Sequence, residues 1–256
     1  SLSVMFSVLS CFRVFCWRSF FRMSCQLTGE ITDNIGKVSI STGYFSIDVE
    51  CVAVGRRHND RAVGQIALVD NHKRVLLDVY VKPEKPVVSY LTPLSGLTKE
   101  KLKNGISLET ALNRLRSLLP STSILVGQSI RKDVMWCKLK EGTDFRSTED
   151  LAELYKVYSP RYRSWSRFSL EHLSKVVLGS RLTGAAHNAA DDAINSIRLY
   201  KFYLENKSNS GIWNRIQNDL LKGQRPMSFS KRHPTFEGVC MGNKQLCRCG
   251  EPFVWF

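Results

Sequence analysis

The chain has 256 residues, room for one domain of ordinary size with appendages but not for two large ones. Its 43% hydrophobic and 23% charged residues are a globular composition, which excludes a wholly disordered, fibrous or repeat-built molecule. With 37 Lys and Arg against 23 Asp and Glu, a formal charge of +14, it calls for a polyanionic partner, nucleic acid ahead of an anionic membrane surface.

Residues 1–42 read as an N-terminal extension. Residues 1–29 carry Arg13, Arg18 and Arg22 and no acid, among Phe, Trp, Leu, Cys and Ser. That pattern resembles a mitochondrial transit peptide. Because the chain opens on Ser1, an extension ahead of a start at Met5 or Met23 is the competing reading. The three arginines interrupt the apolar run well short of the roughly 20 residues a membrane-spanning helix needs, so no membrane partner is expected. Cys11, Cys16, Cys25, Cys51 and Cys137 are scattered, and only Cys240, Cys247 and Cys249 cluster. This spacing is no secreted disulfide framework.

From residue 43 the pattern becomes β-rich, with strands expected at Tyr44–Val54, Ala62–Asp70 and Arg74–Lys82, joined by connections short enough for antiparallel hairpins. Leu108, Ala111, Leu112, Leu115 and Leu119 recur at helical spacing behind Ser107 as N-cap. Ser123–Gly127 has strand length. Helices are expected at Ile130–Leu139, Thr148–Val157, Ser169–Leu178 and Asn188–Glu205. Strands followed by alternating strand and helix predict an α/β domain with a mixed sheet over residues 43–206. Beyond it, residues 207–256 read as a small basic, Cys-containing tail.

Asp48 and Glu50 lie two apart in the first strand, so both side chains share one face. Strands disfavour Asp, and paired carboxylates repel. A hard divalent cation with oxygen ligands would neutralise them, while a solvated edge strand would equally explain them. Asp133 in the helix after the fourth strand, and His187 and Asp192 at the start of the last long helix, could close on that pair.

In order, Asp48, Glu50, Asp133, His187 and Asp192 resemble the DEDDh family of 3′→5′ exonucleases, in the branch of interferon-stimulated 20 kDa exonuclease and RNA exonuclease 4. The first motif stands as residues 45–55, Phe-Ser-Ile-Asp-Val-Glu-Cys-Val-Ala-Val-Gly. The second is residues 125–133, Leu-Val-Gly-Gln-Ser-Ile-Arg-Lys-Asp, and the third residues 187–193, His-Asn-Ala-Ala-Asp-Asp-Ala. Leu94-Ser95-Gly96-Leu97-Thr98 matches a further family segment. Gln128 and Arg146 depart from it, standing where this branch usually has His and Asp.

The resemblance implies an RNase H-like mixed five-stranded sheet flanked by helices. It also implies two Mg²⁺ or Mn²⁺ ions held by Asp48, Glu50, Asp133 and Asp192, with His187 as general base and nucleoside 5′-monophosphates as products. Single-stranded RNA is the expected substrate, with DNA an alternative. A catalytically idle RNA-binding protein of the same fold is the alternative of another class. Leu97 and Thr98 would meet the terminal nucleotide. Arg163, Trp165 and Arg167, in a run of alternating basic and aromatic residues, would hold the strand. The branch suggests a nuclear, nucleolar or cytoplasmic location, and the N-terminal stretch a mitochondrial one. In the tail, His233, Cys240, Cys247 and Cys249 are candidate ligands for one Zn²⁺, with free reduced thiols as the alternative.

Overall fold

A computed structural model describes residues 43–180 and 186–253. Residues 1–42, and with them the targeting reading, lie outside the described residues. Three aliphatic runs open the described chain as strands β1 (Tyr44–Ala53), β2 (Arg61–Asp70) and β3 (Val75–Tyr80), each pair antiparallel. Asp70 shapes the second turn by accepting the backbone N–H groups of His72 and Arg74 on one carboxylate oxygen.

The chain then makes short helices α1 (Thr92–Ser95) and α2 (Lys99–Lys103), followed by α3 (Leu108–Leu118). Ser107 caps α3 as expected, its hydroxyl accepting the N–H of Thr110 at 3.1 Å. Strand β4 (Ile124–Gly127), helix α4 (Arg131–Trp136) and strand β5 (Ser147–Asp150) follow. β4 pairs in parallel with both β1 and β5. The result is one mixed sheet in the order β3-β2-β1-β4-β5, the RNase H-like architecture.

Two expectations need correction here. The helix expected over Thr148–Val157 is strand β5 followed by a single turn, α5 (Leu151–Leu154). An edge strand of four polar residues shows no apolar alternation to betray it, and Asp150 caps the turn behind it by accepting the N–H of Ala152 at 2.9 Å. The helix expected over Ile130–Leu139 stops at Trp136.

Beyond a small hairpin of β6 (Val157–Ser159) and β7 (Ser164–Ser166), helices α6 (Leu170–Leu178) and α7 (Ala189–Asn206) complete the predicted region. The expected boundary after residue 206 does not detach the tail. Helix α8 (Ser210–Lys222) buries Leu220 completely and packs Trp213 and Ile216 with Leu173, Leu199 and Tyr200 of α6 and α7. The polar composition of 207–210 marks only the turn between two packed helices. A last turn, α9 (Phe229–Arg232), and the hairpin β8 (Thr235–Phe236) and β9 (Val239–Cys240) carry the tail back to the sheet, where Val239 packs against Ala53 and Leu91.

Phe45 and Ile47 of β1, with Ile66 and Leu68 of β2, pack against Leu112 and Leu115 of α3 and against Ile130 and Cys137. Against the other face of the sheet lies α7, where Ala189 and Ala190 meet Ala67, and Ala193 and Ile197 meet Val69. Small residues at the start of α7 let its first turn approach the sheet closely. Among the described residues, no helix is long and apolar enough to cross a membrane.

Candidate active site

Asp48 and Glu50 sit where β1 outruns its parallel neighbour. β4 pairs with β1 only as far as Ser46 opposite Val126. Past that point one edge of β1 is open, a crevice at the carboxyl ends of parallel strands where ligands of α/β sheets typically bind. The backbone N–H of Val49, left without a strand partner on that side, donates to Asp133 Oδ1 at 3.0 Å. This single bond ties α4 to the middle of the first motif and sets the third carboxylate beside the first two.

Helix α7 brings the rest. Asn188 caps it, its side-chain oxygen accepting the N–H groups of Ala190 and Asp191. That cap places His187 just ahead of the helix and Asp192 in its first turn, and His187 Nδ1 lies 2.7 Å from Asp192 Oδ2. Potential ligand atoms of Glu50, His187 and Asp192 all lie within 4.8 Å of one another. The His187 backbone is held from the other side, its N–H donating to the Leu94 carbonyl at 3.0 Å. Gly96, at φ +65°, packs so tightly there that a β-carbon would lie 2.5 Å from the His187 carbonyl oxygen. Within the family segment 94–98, of which Leu97 and Thr98 were expected at the terminal nucleotide, Leu94 and Gly96 seat His187.

The electrostatics follow from crowding acids into a half-buried crevice. Burial raises the Asp48 carboxyl well above the usual range, and Asp133, Asp192 and Glu50 push it further. Burial takes Glu50 up to about 8 although His187 opposes the shift, and burial takes Asp133 to about 8 against the Val49 hydrogen bond. The Asp192 hydrogen bond raises His187 in turn. Four hard oxygen donors whose negative charges lack a cationic counterpart of matching size are suited to divalent ions such as Mg²⁺ or Mn²⁺.

A pH dependence follows. Acids whose pKa is higher in the folded than in the unfolded chain bind extra protons on folding, so their contribution to stability falls as pH rises. For Glu50 the window runs from its ordinary 4.5 to about 8. Thermal melts of metal-free protein should therefore give a midpoint lower by roughly 5 °C or more at pH 8 than at pH 5, with Mg²⁺ narrowing the gap. Relief of the net positive charge acts in the opposite direction, so the test is the difference from Glu50→Gln: equal changes in midpoint between pH 5 and pH 8 in the two proteins would refute the assignment.

The expected nucleotide contacts fare differently. Leu97 is fully buried, packed with Val52 and Leu102, so its side chain is a core residue and the expectation of nucleotide contact is corrected. Thr98 caps α2, its hydroxyl accepting the N–H of Lys101. Tyr162 and Trp165 are 66% and 54% exposed on the β6–β7 hairpin, and Arg163 is exposed beside them. Arg167 is exposed too but ion-paired with Glu153 at 2.5 Å. Gln128 donates to the Phe168 carbonyl at 2.9 Å, bracing the chain that leads from the hairpin into α6.

An open cleft of about 510 Å³ adjoins His187 and Asp192. Ser169 and Glu171 line it on one side, and Pro226, Met227, Ser228, Phe229 and Arg232 of the tail also line it. No sequence signal marked these tail residues. The tail's own predicted cluster also needs correction: Cys240, Cys247 and Cys249 converge, but with His58 of the β1–β2 connection rather than His233. His233 instead packs against Phe229 in a tilted arrangement and meets Phe236 edge to face.

Residues 45–200 match the sequence model of the RNase T family, exonuclease. The chain belongs to this exonuclease family. All five residues of the crevice fall inside the matched stretch, in the DEDDh order. RNA exonuclease 4 of Candida glabrata is 30% identical over 158 residues, 62% of this chain and 59% of that protein. Small RNA degrading nuclease 3 of Arabidopsis thaliana is 33% identical over 174 residues, 66% of this chain but 21% of that protein. Human RNA exonuclease 4 is 31% identical over 160 residues, 62% and 36% of the two chains. The chain thus spans less than two thirds of the length of these relatives. Among solved structures, the Pan2 pseudoubiquitin hydrolase-RNA exonuclease module of Saccharomyces cerevisiae in complex with AAGGAA RNA shares the fold. It superposes with a TM-score of 0.60 at 19% identity, covering 77% of this chain and 33% of that one.

Proposed function

We propose that the exonuclease shortens single-stranded RNA from its 3′ end, releasing nucleoside 5′-monophosphates, with two Mg²⁺ or Mn²⁺ ions held by Asp48, Glu50, Asp133 and Asp192. The observation that carries this reading is the closure of Asp133 onto Val49 N–H at 3.0 Å and of Asp192 onto His187 at 2.7 Å, which gathers all four acids and the histidine at one crevice. Held by these carboxylates, divalent ions would supply polarisation of the scissile phosphate and acidification of a bound water.

The chain's own residues account for the proton. With Nδ1 of His187 hydrogen-bonded to Asp192, Nε2 is the nitrogen that remains to accept a proton from the attacking water. The Asp192 carboxylate then stabilises the imidazolium. Glu50 on β1 draws the same imidazolium toward the strand. Preference for RNA is supported by relatives named RNA exonuclease 4 and small RNA degrading nuclease 3. The exposed rings of Tyr162 and Trp165 support a single strand, since every base offers a face to stack.

Digestion of a 5′-labelled single-stranded RNA with Mg²⁺ or Mn²⁺, beside EDTA and a matched DNA, tests the reading. A ladder shortening from the 3′ end, absent in EDTA, is the expected result. RNA that is bound but left intact under either metal would make the protein an idle binder, and faster decay of the DNA would reassign the substrate. Trp165→Ala should raise KM for RNA by roughly 10-fold with kcat nearly unchanged. An unaltered KM would remove the hairpin from the substrate path.

A further inference from the structure

We propose that His58, Cys240, Cys247 and Cys249 bind one Zn²⁺, a clip that fastens the C-terminal tail to the hairpin leaving the catalytic strand. Three sulfurs and one imidazole nitrogen meet at this point. Cys240 Sγ lies 3.4 Å from Cys247 Sγ, Cys247 Sγ 3.5 Å from Cys249 Sγ, and His58 Nδ1 3.0 Å from Cys249 Sγ and 3.5 Å from Cys247 Sγ. All four donors lie within 4.8 Å of one another. Ligands about 2.0–2.3 Å from a tetrahedral zinc stand roughly 3.3–3.8 Å apart, so small adjustments would admit the ion.

The surroundings orient the histidine for this purpose. His58 Nε2 lies 3.3 Å from the Pro252 carbonyl, a partner that only a protonated nitrogen can satisfy, which leaves Nδ1 with its lone pair toward the sulfurs. A metal-bound histidine usually shows this arrangement, with its second nitrogen donating to a carbonyl. Phe253 stacks on the ring at 4.6 Å. Backbone N–H groups of His58 and Glu251 favour the thiolate form of Cys249, and that of Gly242 the thiolate of Cys240.

The clip has a consequence at the cleft. Helix α8 is anchored in the core through Leu220, and beyond the strap the chain is fixed again at Phe236 and Val239, which pack with Ala53 and Leu91, and at Cys240, whose N–H donates to the Arg56 carbonyl at 2.8 Å. Between them runs the strap Pro226–Arg232 that walls the cleft beside His187. Zinc would hold its far end against the β1–β2 connection and so keep the wall in place.

Three measurements test the proposal on the full chain. Purified under reductant, it should carry one zinc per chain. Replacement by Co²⁺ should give the thiolate-to-cobalt charge-transfer band of a tetrahedral thiolate site, which ions at the carboxylate crevice cannot produce. His58→Ala should weaken zinc binding by about 100-fold or more, and His233→Ala should leave it unchanged. Trypsin should then cut His58→Ala, but not His233→Ala, at Lys231 or Arg232 in the strap. A wild type that takes up neither zinc nor cobalt through sulfur overturns the site. Equal zinc affinity in the wild type and His58→Ala overturns the clip, and an equally protected strap overturns its hold on the cleft. The cobalt spectrum of the wild type stands even where a variant fails to fold.

Discussion

Glu50→Gln is expected to lower exonuclease turnover by about 10³-fold or more while making the metal-free protein more heat-stable at pH 8. The two effects have one cause. Glu50 lies in a crevice with three other carboxylates, and burial holds its proton on up to about 8, so ionising it costs free energy that folding must cover. Glutamine keeps the shape and removes the charge, and the strain with it. A rise of a few degrees in the melting midpoint would correspond to roughly 1 kcal/mol for a chain of this size. In the proposed mechanism the same charge would be a ligand for the ions that stabilise the reacting phosphate. Removing one such electrostatic contact typically costs about 3–4 kcal/mol of transition-state stabilisation. Melting curves in EDTA and initial rates in saturating Mg²⁺ measure both. A variant that loses activity and also melts lower would show Glu50 acting as a structural residue, and one that keeps its rate would remove it from the site.

The legibility of this protein divides along physical lines. The strands β1 and β2 and the capped helices α3, α6 and α7 could be read because local rules and tertiary packing agree: aliphatic runs, i, i+3, i+4 stripes, and Ser107, Ser169 and Asn188 at the caps. The crevice acids could be singled out because Asp48 and Glu50 inside a strand conflict with local preference, a conflict that a solvated edge would equally explain, and because Asp133, His187 and Asp192 follow them in the order of the DEDDh motifs. Strand β5 was not legible. Its four residues are held in place by parallel pairing with β4, a long-range contact that leaves no periodic trace.

The misassigned zinc ligand has a related cause. Spacing along the chain favoured His233 because it lies near the cysteines in sequence. His58 is 191 residues from Cys249 and reaches the cluster only because β9 packs against Ala53. Leu97 was misread for the opposite reason: the family segment was located correctly, but only the fold shows that its value lies in what it supports. Leu94 offers a carbonyl, Gly96 offers the lack of a side chain, and Leu97 fills the core beneath.

That support can be tested on its own. Gly96→Ala should reduce kcat by roughly 100-fold while changing RNA affinity little, because it displaces His187 by an ångström or so without altering any group that meets the substrate. The new methyl would stand 2.5 Å from a backbone oxygen. No side-chain rotation can relieve that contact; one of the two backbones must move and stretch the 3.0 Å bond from His187 N–H to the Leu94 carbonyl. Gly142→Ala supplies the control. Gly142 has φ +79° with nothing within 4 Å of its would-be β-carbon, so it incurs the left-handed backbone cost of about 1 kcal/mol without a clash. Both variants should lose a similar amount of stability from that cost, with Gly96→Ala losing more. The two are expected to part on turnover: Gly142→Ala near the wild type, Gly96→Ala far below it, its deficit greatest above the pKa of His187, where the wild-type imidazole is the free base, and smaller below it, where protonation already takes the base from both. Equal turnover in the two variants would show that the Leu94–Gly96 contact does not position the histidine, and a loss of RNA affinity matching the loss of rate would move residues 94–98 back to the substrate.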